Sequence, residues 1–228
     1  LGVAGVAGNG QDELVKVLSG ETLTEAGKVR LEGREIGAEG PNERRRLGLL
    51  TAPDERLGHA AAADMSLKEN AFLTGRARQR LAHRGFIKSK TTANFARAVV
   101  KRFDVRTPGI DTKAGALSGG NLQKFVIGRE ILQRPRALVV NQPTWGVDAH
   151  AAATIRTALR DLAADGTGIL VISQDLDELM EISDTFSVLA DGRLSEPRRT
   201  GSMTVDEIGL MMGATRAETS PGAEAANG

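Results

Sequence analysis

Two glycine-rich stretches carry the residue types and spacing for phosphate chemistry. The first, Gly5-Val-Ala-Gly8-Asn9-Gly10-Gln11-Asp12, keeps the glycine frame of a phosphate-cradling loop, G-x-x-x-x-G-K-[ST], between a strand and a helix. Backbone N–H groups at such a helix start attract anions. The lysine position, however, holds Gln11 and the Ser/Thr position holds Asp12. A carboxylate about 4 Å from a phosphate charge costs about 4 kcal/mol at an effective dielectric near 20, unless a bridging Mg²⁺ reverses the sign. As a catalytic phosphate site the loop is defective. As a tight turn that packs a helix close to its strand, with Asp12 favouring the helix start, it is complete. The sequence leaves both readings open.

The second stretch is Leu117-Ser118-Gly119-Gly120-Asn121-Leu122-Gln123-Lys124. Ser118 can donate its hydroxyl to a phosphate, and the two glycines let backbone approach it with no Cβ in the way. The bland alternative is that Ser118 is simply the N-cap of the next helix.

The elements that must position these residues alternate in type. The opening strand and the Gly8-Asn9-Gly10 turn lead into an amphipathic helical run from Glu13 to Leu18. Residues 29–50 read as short strands broken by Gly33, Gly37, Gly40 and Pro41. Ser66–Arg106 reads as helical and polar. After Ser118 come a helix, the buried-strand run Ala137–Val140, a helix over His150–Ala164, the apolar run Ile169–Ile172, a helix over Asp175–Ile182 and a strand over Phe186–Leu189. Strands alternating with helices of this length predict a parallel sheet covered on both faces. Ala214–Gly228 is small, polar and aperiodic, which predicts a disordered tail.

Composition excludes several chemistries. There are no cysteines, so disulfides, thiolate metal sites and a cysteine nucleophile are ruled out together. His59, His83 and His150 are too scattered to suggest a histidine-built metal site. Aromatics make up 3% of the chain, which leaves little material for base stacking. No apolar run approaches the roughly 18 residues of a membrane span. The net charge is +1, but it is unevenly spread. Ser66–Arg106 holds eleven Lys/Arg against Glu69 and Asp104, a local +9 that leaves −8 elsewhere.

With its neighbours the second stretch becomes specific. Leu-Ser-Gly-Gly-x-x-Gln-Lys, then Arg129-Glu130-Ile-Leu132, then the strand Ala137–Val140, strongly resembles the ATPase domain of ABC transporters. The remaining motifs follow in that family's order. Asn141-Gln142-Pro143-Thr144 is similar to the end of the Walker B strand, and Gly146-Val147-Asp148 to the D-loop. Ile172-Ser173-Gln174-Asp175 is similar to the switch segment. Pro53-Asp54-Glu55-Arg56 sits where the Q-loop leads into a helical subdomain. The resemblance covers residues 1 to about 213 and implies an α/β fold. That fold is a P-loop NTPase (RecA-like) parallel-sheet core over 1–60 and 117–213, with an inserted helical signature subdomain over 61–116. The core's N-terminal antiparallel strands would be missing or truncated. The opening residues read as a strand already under way, so the chain is expected to be a piece of a longer protein.

The departures from the pattern fall on residues with different tasks. Walker-A Lys is Gln11 and its hydroxyl is Asp12; the Mg²⁺-linked Asp is Asn141; the water-polarising Glu is Gln142; the switch His is Gln174. An amide is no general base at neutral pH, and Asn is a weaker Mg²⁺ ligand than Asp. The domain's own site therefore has no catalytic residues, and only weak Mg²⁺ ligands in Asp12 and Asn141. The signature Ser118, Gly119, Gly120 and Asn121 and the D-loop Asp148 are intact. Because two such domains pair head to tail, the resemblance implies that this signature completes a partner domain's ATP–Mg²⁺ site. The degenerate Walker A, Leu-Ser-Gly-Gly-Asn and Gln-Pro-Thr-x-Gly-Val-Asp together resemble the second half of fused importer ATPases for simple sugars and nucleosides. Implied partners are the other ATPase half, permease subunits and, indirectly, a periplasmic or lipoprotein solute-binding protein, with no nucleic acid. The implied location is peripheral, on the cytoplasmic face of the membrane.

Two other functions use the same motifs. A DNA-repair ATPase would draw on the basic run Ser66–Arg106 but needs a long coiled coil between P-loop and signature, and no sustained heptads are present. A regulatory module that holds nucleotide without turnover shares every residue with the first reading. Trp145 is expected to pack in its loop and His150 to be solvated. Met211 and Met212 are expected to pack at the end of a short helix.

Overall fold

The computed structural model describes residues 1–213; the tail expected to be disordered, Ala214–Gly228, lies outside the described residues. In chain order the elements are β1 (Gly2–Ala4), α1 (Gln11–Ser19), β2 (Arg30–Leu31), β3 (Arg34–Glu35), α2 (Pro41–Leu47), β4 (Leu49–Ala52), α3 (Leu67–Gly75), β5 (Ala82–His83), β6 (Phe86–Ile87) and α4 (Ser89–Arg102). A 3₁₀ turn at Ala114–Ala116 follows, then α5 (Gly119–Ile131), β7 (Ala137–Asn141), α6 (Ala149–Ala164), β8 (Gly168–Ser173), α7 (Leu176–Ile182), β9 (Thr185–Ala190), β10 (Arg193–Leu194), β11 (Arg198–Arg199) and α8 (Val205–Gly213). They form two compact units: Leu1–Asp12 with the described residues from Ile172 onward, and Glu13–Val171.

In the first unit β1 runs parallel to β9, with Gly2 opposite Phe186 and Ala4 opposite Val188. The short strands β10 and β11 pair antiparallel with β9. Val3, Ala4, Phe186, Val188, Leu179 and Ile208 are buried and make its core. In the second unit β4 runs parallel to β7, from Leu49 opposite Ala137 to Ala52 opposite Val140. The unbroken apolar sequence of β7 suits a parallel strand with both faces covered. Leu50, Leu138, Phe125, Ile127, Phe103, Ile155 and Leu159 are all buried here. The parallel pairs with flanking helices give the α/β class expected.

Helix ends follow local chemistry. Ser66 and Glu69 form a reciprocal capping box at the start of α3: Glu69 N–H donates to Ser66 Oγ (3.2 Å), and Ser66 N–H to Glu69 Oε2 (2.8 Å). Asp148 caps α6 and Asp175 caps α7.

Two stretches differ from the sequence expectation. Residues 41–47 form the helix α2 in place of a strand, because Pro41 fits the first helical turn and Gly48, at φ 107°, closes the end with N–H donation to Arg44 O and Arg45 O. Ser66–Arg106 is not continuously helical: the hairpin β5–β6 interrupts it. Its two-residue turn places Arg84 at φ 47° and Gly85 at φ 84°, the left-handed pair that lets strand twist continue through a tight turn. Met212 is buried as expected, whereas Trp145 is 66% exposed and does not pack into its loop.

Candidate functional site

The glycine-rich loop after β1 is filled by its own helix. Gln11, the first residue of α1, is buried, and its side chain folds back into the loop. Its Nε2 donates to Val6 O at 2.7 Å, and its Oε1 accepts from Asn9 N–H at 3.1 Å. A Cβ at Gly5 would stand 2.5 Å from Gln11 Nε2, so glycine there makes room for the amide. Asn9 is tied further to the β9–β10 turn, accepting from Asp191 N–H on its side chain and from Gly192 N–H on its carbonyl. Gly8 and Gly10 take φ 88° and 107°, conformations that glycine adopts without cost. Asp12 points outward and is exposed. The Asn9 N–H that a phosphate would use is engaged by the Gln11 amide.

The signature stretch is built in the opposite sense. Ser118 occupies the N-cap position of α5 but makes no side-chain cap bond, so the bland reading of this serine does not hold. Its Oγ instead accepts from Asn121 Nδ2 at 2.9 Å, which leaves the hydroxyl proton available. Asn121 is fixed at its other end, where Oδ1 accepts from Arg106 N–H at 2.9 Å. Both ends of that amide are engaged, so it orients Ser118 instead of facing a ligand freely. Ser118 and Gly119 are exposed, and the first N–H groups of a helix such as α5 have no intrahelical acceptor.

The D-loop lies against this stretch. A Cβ at Gly120 would be 3.9 Å from Val147. Asp148 is exposed, and its Oδ1 accepts from Ala151 N–H at 2.9 Å. That backbone bond holds its pKa below the usual carboxylate range. The carboxylate's first task is therefore to cap α6.

The Walker-B pair sits at the end of β7 in the second unit. Asn141 is buried. Gln142 has φ 50°, a strained left-handed backbone for a non-glycine residue, and its carbonyl accepts from Trp145 N–H at 3.2 Å. Gln174 belongs to the first unit and is exposed. Nearby, Ser173 Oγ donates to the buried Glu178 at 2.8 Å. The signature, D-loop and Walker-B residues share one unit, while the glycine loop and Gln174 belong to the other.

Two side chains that motif reading did not assign hold the signature region together. Gln123 on α5 is completely buried, and its Nε2 donates to Pro143 O at 2.9 Å. Arg56 donates from Nε to Gln123 Oε1 at 2.9 Å and from Nη2 to Trp145 O. A side chain that serves two distant segments leaves no local pattern; the only hint was the position of Pro53–Arg56 ahead of the helical stretch.

Residues 1–145 match the family described as ABC transporter. The chain belongs to that family. Similar proteins include the glucose import ATP-binding protein TsgD13 of Haloferax volcanii, 37% identical over 93% of this chain and 39% of its own length. The nucleoside import ATP-binding protein NupA of Lactococcus lactis is 34% identical over 93% of this chain and 42% of its own. The guanosine import ATP-binding protein NupO of Bacillus subtilis is 35% identical over 96% and 43%. The chain thus spans about two fifths of the length of these curated relatives. Among solved structures, an ATP-binding subunit of an ABC transporter superposes with TM-score 0.74 at 20% identity, covering 93% of this chain and 87% of that one. The ATP-binding cassette MJ0796 in a post-hydrolysis state gives 0.73 at 17%, covering 89% and 85%. At those identities the superpositions establish the ABC ATPase fold, a P-loop NTPase architecture.

Proposed function

We propose that this chain is the ATP-binding, energy-coupling domain of an importer for nucleosides or simple sugars. Its own nucleotide site is degenerate, and its signature completes the ATP–Mg²⁺ site of a partner ATPase half in the same longer protein. The observation that carries this reading is the contrast between the two loops. The Gln11 amide fills the glycine loop, while the exposed Ser118 accepts from Asn121 and so keeps its hydroxyl proton to donate at the start of α5. When bound at such a composite site, ATP–Mg²⁺ supplies the hydrolysable phosphoanhydride. Ser118 would donate to its terminal phosphate, and the N-terminal end of α5 would face that charge.

The import substrates named for the similar proteins support the solute class. The helical subdomain is proposed at 61–116, which holds α3, the β5–β6 hairpin and α4. Its permease-facing side is supported by a cavity of about 790 Å³ lined by Arg46, Arg76, Arg78, Arg80, His83 and Arg84. Beside it the hairpin exposes Phe86 (80%) and Ile87 (58%). No helix among the described residues is long and apolar enough to cross a membrane. The longest helix between the glycine loop and the signature is α4, with 14 residues, which gives the DNA-repair alternative no coiled coil. The regulatory alternative needs nucleotide in the loop that Gln11 fills.

The test compares ATPase activity and solute uptake of the full-length protein carrying Ser118→Ala, Gly119→Asp or Gln142→Ala. A negative charge about 4 Å from the phosphate costs about 4 kcal/mol at an effective dielectric near 20, about a thousandfold in rate. Arg56 Nη1 lies 2.7 Å from where the Gly119 Cβ would stand, so part of that charge is neutralised and a smaller loss, about a hundredfold, is expected. Ser118→Ala should cost about tenfold or more, and Gln142→Ala little. A crippling Gln142→Ala beside silent Ser118→Ala and Gly119→Asp would overturn the assignment.

A further inference from the structure

Arg56 ties together three segments that are remote in sequence. Its own loop is braced from below. Ala60 N–H donates to Glu55 O (3.0 Å) and Ala61 N–H to Arg56 O (2.8 Å). The buried Arg129 on α5 donates from Nη2 to Ala60 O at 2.6 Å. From this fixed base the Arg56 guanidinium reaches forward. Nε engages Gln123, five residues into the helix that begins at the signature, and Nη2 engages the Trp145 carbonyl just ahead of Asp148. Gln123 closes the triangle by donating to the Pro143 carbonyl.

Space confirms the fit. A Cβ at Gly119 would meet Arg56 Nη1 at 2.7 Å, and a Cβ at Gly146 would meet Nη2 at 3.2 Å. Both glycines therefore make room for the same guanidinium. Partial burial lowers the arginine's pKa, with no carboxylate offsetting the effect, so the charge is held for its hydrogen-bonding fork rather than as half of an ion pair.

We propose that Arg56 is a positioning residue that sets the signature Ser118–Gly120 and the Trp145–Asp148 segment in one fixed geometry, coupling both to the loop over residues 53–61. This rests on the reading in which Ser118 and Gly119 serve a partner's nucleotide. Arg56 is assigned no contact with that nucleotide; it acts through the Gln123 side chain and the Trp145 carbonyl. Misplacing a phosphate-facing donor by about 1 Å can cost about a hundredfold in rate, so a loose latch affects turnover before it affects binding. Lysine would not replace it, because a single ammonium cannot present the Nε and Nη2 donors in their fixed fork.

The experiment uses the full-length protein assembled with its permease, carrying Arg56→Gln, Arg56→Lys or Ser118→Ala. ATPase kcat and ATP KM are measured, with hydrogen exchange of the backbone as the structural readout. Both Arg56 variants are expected to lower kcat ten- to a hundredfold, on the scale of that misplacement, with KM changed less than about threefold. Exchange should rise in 119–123 and 143–148 while α3 and α4 stay protected; a rise spread evenly over all helices would instead mark simple destabilisation and overturn the proposal. Wild-type kcat in Arg56→Gln, or recovery in Arg56→Lys to within about threefold of wild type, would also overturn it. If Ser118→Ala is silent as well, the signature reading beneath it has failed; if Ser118→Ala is impaired and only the Arg56 variants are silent, the latch alone is wrong.

Discussion

Replacing Gln11 by alanine isolates what fills the glycine loop. The wild-type amide makes two hydrogen bonds to backbone, 2.7 Å to Val6 O and 3.1 Å from Asn9 N–H. Each is worth about 0.5–1.5 kcal/mol net, so the pair contributes about 1–3 kcal/mol. A phosphate entering the loop must first displace it, which weakens apparent affinity by about five- to 150-fold, on top of the missing lysine. Gln11→Ala should therefore lower stability by about 1–3 kcal/mol in urea titration. It should also release the Asn9 N–H, so that pyrophosphate gives a weak, millimolar-range shift of the Asn9 amide resonance that the wild-type domain does not give. Gln11→Lys should not restore ATP hydrolysis, because Asn141, Gln142 and Gln174 remain and residues acting as a unit are not additive. Micromolar binding of pyrophosphate at Asn9 of the wild-type domain, or unchanged stability in Gln11→Ala, would refute this role for Gln11.

Two predictions concern the scaffold. At Gly128 in α5 a Cβ would stand 2.6 and 2.7 Å from Cγ and Cε2 of the buried Phe103; overpacking of about 1–3 kcal/mol should outweigh a helix-propensity gain of up to about 1 kcal/mol. Gly128→Ala should then destabilise the domain in thermal melts, and adding Phe103→Leu should recover part of the loss. Asp148 and Glu69 have folded pKa values below the carboxylate range, the first chiefly through Ala151 N–H and the second chiefly through the Ser66 hydroxyl. Depressed folded values mean their stabilisation is complete above about pH 5 and is lost as the pH falls below about 4. Urea midpoints measured across that range should drop on acidification, and Asp148→Asn, which can cap but cannot ionise, should flatten the drop.

The sequence by itself determined the features that rest on local chemistry. Alternating apolar strands and amphipathic helices set the α/β class. The run Leu117–Lys124 followed by Ala137–Asp148 marked the family, because its glycines and caps act within a few residues of one another. It also located, at positions 11, 12, 141, 142 and 174, the residues that depart from the pattern the resemblance implies. It did not mark α2, whose residues pattern poorly and whose boundaries come from Pro41 and Gly48. Nor did it mark the hairpin turn, where Arg84-Gly85 replaces the usual Asn-Gly signal.

What only the tertiary structure decided was where polar side chains spend their hydrogen bonds. Gln11 could have faced solvent; the room left by Gly5 and the Val6 carbonyl turned its amide inward. Ser118 could have capped α5; Asn121, anchored by Arg106, took its oxygen instead. Arg56 finds partners 67 and 89 residues away, and no periodicity encodes a contact at that separation. A buried or half-buried donor must be satisfied by whatever acceptor the fold brings near, so its partner is fixed only when the chain has closed around it.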